Sequence, residues 1–217
     1  MPASKPIRLY IPVVQRQPLL IEAHLLPLVE PLFLIETHMT FEERLLLLQT
    51  ALGLPPGFVA AEVGSYLGAS SSFLAAAAVL KNGFVHCVDT WQNEAMGLEP
   101  LEDTFRRFVE NTYHFRHLIA AHRGRASEQA PQVPSGLDLL FIDGDHSYPA
   151  VLEDLTHYVP KLKPGGLLAM HDYHTFETVR RAAQEYLASL RPEDRAHIHS
   201  LQIFRLPPTT SGAWGSG

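Results

Sequence analysis

Only one cysteine, Cys87, occurs in 217 residues, so no intramolecular disulfide can form and nothing points to an oxidising compartment. Charge is sparse too: 18% of residues are charged, and the 17 basic ones are dispersed and outnumbered by 23 acidic ones. A net charge of −6 without a basic stripe lacks the electrostatic footprint of a nucleic-acid binder, and a small or neutral substrate is expected instead. The chain also has no run of the roughly 18 uninterrupted apolar residues that a membrane span needs. Its nearest approach, Leu19 to Ile35, is broken by Glu22, His24, Pro27, Glu30 and Pro31. Residues 1–17 lack a continuous apolar core ahead of a small-residue cleavage site, so no leader peptide is expected and the cytoplasm is the default location. No internal repeat is evident.

With 46% hydrophobic residues the chain can bury one sizeable core and is short for two. Residues 1–39 are rich in proline and leucine without a clean period, and read as an arm laid over the domain or into a partner subunit. Leu19, Leu20, Leu25, Leu26 and Phe33 together make more apolar surface than a free arm should expose, so a dimer through this arm is expected. The domain proper is read over 40–208, and 209–217 as a disordered tail. Thr40-Phe-Glu-Glu43 has the form of a capping box, predicting a helix over 41–52 that Gly53 and Pro55-Pro56-Gly57 terminate. Short apolar runs then alternate with helical patterns, as in repeated βαβ units around a parallel sheet. Strands are predicted over 58–62, 85–89, 118–121, 137–142 and 167–171, with helices over 71–80, 101–113, 149–159 and 176–190. A last strand over 201–206 is expected antiparallel at the sheet edge.

The segment Phe58-Val-Ala-Ala-Glu62-Val-Gly64-Ser65-Tyr-Leu-Gly68-Ala-Ser70 is a strand, a glycine-bearing turn and a helix start, the place where open α/β sheets bind ligands. Gly64 and Gly68 permit positive φ, and Ser70 can cap the following helix, whose amide-rich end favours a carboxylate. The spacing is G-x-x-x-G, not G-x-G-x-x-G, so the dinucleotide fingerprint is absent and a ligand without a pyrophosphate is expected. Asp89 closes the second strand, where a carboxylate can accept from both hydroxyls of a ribose.

Glu62-Val-Gly64-Ser-Tyr-Leu-Gly68, Val88-Asp89, Leu140-Phe-Ile-Asp143-Gly-Asp-His146-Ser-Tyr148, Leu162-Lys-Pro-Gly165-Gly166 and His171-Asp172 together resemble the class I S-adenosylmethionine-dependent methyltransferases. The branch most like this chain is that of small-molecule O-methyltransferases with the Asp-Gly-Asp-His-Ser-Tyr signature, and the resemblance runs from Thr40 to Leu206. It implies a Rossmann-like α/β fold with a doubly wound, mostly parallel sheet of seven strands. It also implies Glu62 near the methionine amino group, Asp89 on the ribose, and the loop from Arg123 to Ser127, with Ala126, beside the adenine. Gly64, Ser65, Gly68, Ser70 and Asp143 complete the expected cofactor set. Trp91, two residues beyond Asp89, reads either as a ring stacked near the adenosine or as a buried anchor.

Asp143 ends the fourth strand and His171-Asp172 the fifth, so all three side chains should emerge on one carboxyl edge and can converge on one divalent ion. In catechol-type methyltransferases the corresponding positions hold magnesium, which orients a substrate hydroxyl and lowers its pKa. The resemblance thus implies Asp143, His171 and Asp172 as ligands of Mg2+ or Mn2+. His171 stands where that group has a carboxylate, and magnesium prefers oxygen to imidazole, so a softer metal or none is the alternative. His146 takes the place of their catalytic lysine and is the expected general base, with loop-fastening as its structural alternative. Asp145 is read as a helix cap, Tyr148 and Tyr173 as pocket walls or packing. Glu36, His38 and the segment 91–100 are read as parts of a lid over the acceptor. The rival readings are a nitrogen-directed or metal-independent methyltransferase, a cofactor binder without methyl transfer, a nicotinamide oxidoreductase and a scaffold.

Overall fold

In the computed structural model, residues 7–8, 20–21, 23–93 and 102–208 are described, so the expected tail over 209–217 and most of the second lid segment lie outside them. Strands β1 (Ile7–Arg8) and β2 (Leu20–Ile21) pair with each other in a separate antiparallel ladder. Next come α1 (Leu26–Val29), flanked by 3-10 turns, and α2 (Phe41–Leu52). The domain continues through β3 (Val59–Val63), α3 (Ala69–Lys81), β4 (Phe84–Asp89), α4 (Phe105–Thr112), β5 (Ile119–Arg123) and α5 (Ala126–Gln129). It ends with β6 (Leu137–Ile142), α6 (Tyr148–Tyr158), β7 (Leu162–Met170), α7 (Glu177–Leu187), β8 (Glu193–Ile198) and β9 (Leu201–Arg205).

Seven of these strands form one sheet in the order β5-β4-β3-β6-β7-β9-β8. The first five pair in parallel, and β9 runs antiparallel between β7 and β8. The central strands are apolar on both faces because successive side chains point opposite ways. Ala60, Leu139, Phe141, Leu167 and Ala169 join α2 and α3 in one core, while Ala61, Leu140, Ile142, Leu168 and Met170 join α6 and α7 in another. A run of alanines and serines lets α3 lie against both α2 and the sheet, and its residues 69–78 are all buried.

Two expectations are corrected. The strand Leu201–Arg205 is antiparallel as expected, yet β8 covers its outer side, so it is not the edge. The sequence of β8, Glu-Asp-Arg-Ala-His-Ile, escaped the reading because its first three residues are exposed and charged, as an edge strand tolerates. Helix α4 is shorter than the predicted 101–113; the Asp103 carboxylate accepts from the Phe105 amide at 3.1 Å and marks its start. The described part of the arm lies over its own domain, one of the two placements its composition allowed. Leu25, Val29, Leu32 and Met39 are buried in the first core, and Leu26 and Phe33 pack against it. The Phe33 ring stacks on Phe41 at 4.2 Å.

Candidate active site

The carboxyl ends of β3 to β7 open into a cleft of about 770 Å³ at the point where strand order reverses between β3 and β6. On its β3–β4 side the loop after β3 is held by one carboxylate. Asp89 Oδ2 accepts from the amides of Ser65 and Tyr66 at 2.8 and 2.7 Å, and Oδ1 accepts from the Trp91 amide at 2.6 Å. A carboxylate has about four acceptor sites, so three amides leave capacity for a ligand hydroxyl. Gly64 has φ +87°, and a β-carbon there would lie 2.1 Å from the Asp143 carbonyl oxygen. Glycine at this position therefore lets the loops after β3 and β6 touch.

The β6–β7 side is dense with charge. The ring of His171 is buried, with Nδ1 at 3.1 Å from both Asp143 Oδ1 and Asp172 Oδ2. Its Nε2 lies 2.9 Å from Ser200 Oγ and 3.3 Å from Glu43 Oε2. Burial would push the His171 pKa down, but Asp143, Asp172 and Glu43 around it push it up to about 12, so the ring is an imidazolium. Burial likewise opposes ionisation of Glu43, yet hydrogen bonds from His171, Ser200 and the Thr40 amide bring its pKa down to about 2. Asp172 Oδ2 also pairs with His146 Nε2 at 3.0 Å, which raises the His146 pKa against its burial, while both histidines hold Asp172 below the usual carboxylate range. The His146 ring stacks on Phe176 at 4.3 Å, and Thr178 fixes its backbone by donating to its carbonyl at 2.6 Å.

A methyltransferase-domain family matches residues 61–173, just over half of the chain, including the carboxyl ends of β3 to β7. The chain belongs to this methyltransferase family. An uncharacterized protein of Sinorhizobium fredii is 28% identical over 138 residues, covering 60% of this chain and 15% of its own length. The chain spans about a fifth or less of the curated relatives it matches. Among solved structures, CalS11, a TDP-rhamnose 3'-O-methyltransferase of calicheamicin biosynthesis, superposes with a TM-score of 0.60 at 16% identity, over 85% of this chain and 87% of that one. TomG, an O-methyltransferase of tomaymycin synthesis from Streptomyces achromogenes seen with S-adenosylmethionine, gives 0.57 at 17% identity, over 79% and 82%. These likenesses show the class I fold of S-adenosylmethionine-dependent methyltransferases, with its seven-stranded, mostly parallel sheet.

Within this methyltransferase domain, Gly64, Ser65, Ser70, Asp89, Ala126, Asp143, His146, His171 and Asp172 all line the cleft. Other expected residues stand elsewhere. Trp91 is fully buried, edge-on to Phe105 and tilted against Phe108, with Nε1 donating to the Tyr66 carbonyl at 2.9 Å. It is an anchor of the loop and not a wall of the cleft. Gly68 faces α4: with φ +84°, its added β-carbon would lie 2.7 Å from Thr112 Cγ2. Ser127 stays outside the cleft, and Ser70 is not a cap, because α3 begins one residue earlier behind a left-handed Gly68. Glu62 is fully buried behind the loop, where Ser71 Oγ donates to its Oε2 and its Oε1 has no partner. Asp145 does not cap α6; its carboxylate accepts from the Ser147 amide at 2.6 Å and closes a turn. Tyr148 donates to Glu185 beneath the Arg181 guanidinium, and Tyr173 packs edge-on to Phe204. Glu36 pairs with Arg107 at 2.6 Å, whereas His38 does line the cleft.

Of the expected metal ligands, Asp143 and Asp172 also come together with His146. Donor atoms of Asp143, His146 and Asp172 lie within 4.8 Å of one another, so among the described residues these three can meet on an ion. Both ring nitrogens of His171 are engaged by neighbouring side chains, Nδ1 by Asp143 and Asp172 and Nε2 by Ser200 and Glu43. The sequence reading missed Glu43 as a site residue. The capping box forms, with Thr40 Oγ1 accepting from the Glu43 amide and the Glu43 carboxylate accepting from the Thr40 amide at 2.7 Å. The same carboxylate reaches His171 and Ser200, and no sequence spacing carries that 128-residue convergence. Asp154, a buried carboxyl lining the cleft from α6, was missed because it sits on an ordinary amphipathic helix.

Proposed function

We propose that this chain transfers the methyl group of S-adenosylmethionine to a hydroxyl oxygen of a small, polar acceptor, with His146 as general base. The observation that carries the reading is the His146–Asp172 pair at 3.0 Å on the rim of the cleft. The residues present suit the cofactor: Asp89, which lines the cleft, keeps acceptor capacity for a ribose hydroxyl, and Gly64 leaves the space a β-carbon would fill where the loops after β3 and β6 meet. When bound, the cofactor supplies the sulfonium-borne methyl group. Asp172 holds Nε2–H of His146 and so leaves Nδ1 to take the acceptor's proton. Glu43, through His171, holds Asp143 and Asp172 in place. Thr37, His38, Thr40, Tyr66, His199 and Ser200 also line the cleft and offer polar atoms to a hydroxylated acceptor.

A second reading has its own support, since Asp143, His146 and Asp172 can also hold a divalent ion that polarises the acceptor oxygen. Two carboxylates and an imidazole fit manganese or a softer metal better than magnesium. Labelled S-adenosylmethionine, incubated with panels of sugars, phenols and amines, tests the reaction. Methyl ethers formed equally in chelator support His146 as base; activity lost in chelator and restored by Mn2+ makes His146 a ligand; methylamines alone reject the oxygen acceptor.

A further inference from the structure

Beneath the turn after β6 lies a group of cleft residues that neither the loop after β3 nor the acid–histidine cluster uses. Ala150, Glu153 and Asp154 of α6 line the cleft together with Gly124, Arg125 and Ala126, which follow β5. Asp154 is 7% exposed, and among the described residues its carboxyl makes no hydrogen bond or ion pair. A β-carbon added at Gly144 would stand 3.4 Å from its Oδ2, which places that oxygen just under the bare face of the turn. Tyr158, one helical turn on, donates to the Ala126 carbonyl at 2.7 Å and ties α6 to the loop at this end of the cleft.

An ionised carboxylate buried without a donor is strongly disfavoured; such a group stays protonated or finds a ligand. Burial, with Glu153 and Asp145 nearby, raises the Asp154 pKa to about 7. Its acid form sets one donor beside one acceptor, the same pattern that a carboxamide uses to pair with the amino group and adjacent ring nitrogen of adenine. We propose that Asp154 reads the adenine edge of the cofactor, accepting from the exocyclic amino group and donating to the neighbouring ring nitrogen. The inference rests on the cofactor reading above. With Asp89 taking the ribose in mid-cleft and the acid–histidine cluster at the β7 end, the base falls towards residues 124–126, where Asp154 waits.

The test is calorimetric titration of the full chain with S-adenosylhomocysteine and with S-inosylhomocysteine, in which a carbonyl replaces the amino group. Wild type should bind the adenine compound at least about tenfold more tightly, and Asp154→Ala should lose about tenfold for that compound and erase the preference. Asp154→Asn, which keeps a donor and an acceptor, should stay within about threefold of wild type and unfold at the same temperature. If Asp154→Ala does not fold, the wild-type preference and the Asn variant decide. Binding without preference, or a preference unchanged in Asp154→Ala, overturns the role of Asp154 alone; no binding of either compound to wild type overturns the cofactor reading with it.

Discussion

The two sides of the cleft are built by opposite means. The side formed after β3 and β4 uses backbone: amides of Ser65, Tyr66 and Trp91 turned onto one carboxylate, with a glycine that lets two loops touch. The side formed after β6 and β7 uses side chains drawn from α2, both strand ends and the turn before β9, and packs three carboxylates and a serine hydroxyl around one buried imidazole. A site made of backbone holds a ligand of fixed shape and tolerates little change. A site made of long-range charge can set the protonation of a reacting group, at the cost of depending on distant segments.

The sharpest way to break this contrast is His146→Ala, which should lower methyl transfer by about 10²- to 10⁴-fold while leaving cofactor affinity unchanged. A parallel fall in affinity would show that the two sides are not separable. In wild type the rate should rise with pH through an inflection above the 6.5 of an ordinary histidine, because only the deprotonated ring accepts a proton and Asp172 raises its pKa. Asp172→Asn should move that inflection down.

Glu43→Ala should destabilise the fold by about 3–5 kcal/mol, since it leaves the His171 cation with one neutral partner on that side. With the Glu43 pKa lowered from 4.5 to about 2, its contribution is present above pH 4.5 and is lost as pH falls towards 2. With the His171 pKa raised from 6.5 to about 12, its contribution is full below pH 6.5 and declines as pH rises towards 12. Thermal unfolding should therefore show the cluster's full effect between pH 4.5 and 6.5, and Glu43→Gln should flatten the acid limb. An unchanged acid limb in that variant would detach Glu43 from the cluster.

A smaller effect is expected for Asp89→Ala. It orphans three amides, should cost about 1–3 kcal/mol in unfolding free energy, and should weaken S-adenosylhomocysteine binding without shifting the pH inflection of the remaining activity. The smallest belongs to Trp91→Phe, which removes one indole hydrogen bond of about 1 kcal/mol. Stability should fall and cofactor affinity should hold. Loss of affinity there would return Trp91 to the cleft wall.

The same contrast explains what the sequence made legible. The parallel strands, the capping box and the glycine loop are local patterns, and the cleft forms where they end. Asp89, Asp143, His146 and Asp172 were readable because strand ends of a parallel sheet share one edge. Gly68 was misplaced, and Trp91 kept two readings, because spacing does not say which face of a loop packs on α4. His171 and Glu43 were read separately, one as a ligand and one as a cap; only the packing of α2 and β9 over the strand ends joins them. β8 went unseen because an exposed edge strand has charged residues in place of the apolar alternation on which strand reading depends.

Equilibrium dialysis of the full chain against labelled S-adenosylmethionine tests the central claim most directly. Saturable uptake of one cofactor per chain, weakened in Asp89→Ala and intact in His146→Ala, is the predicted result. No saturable uptake by the wild-type chain would contradict the account.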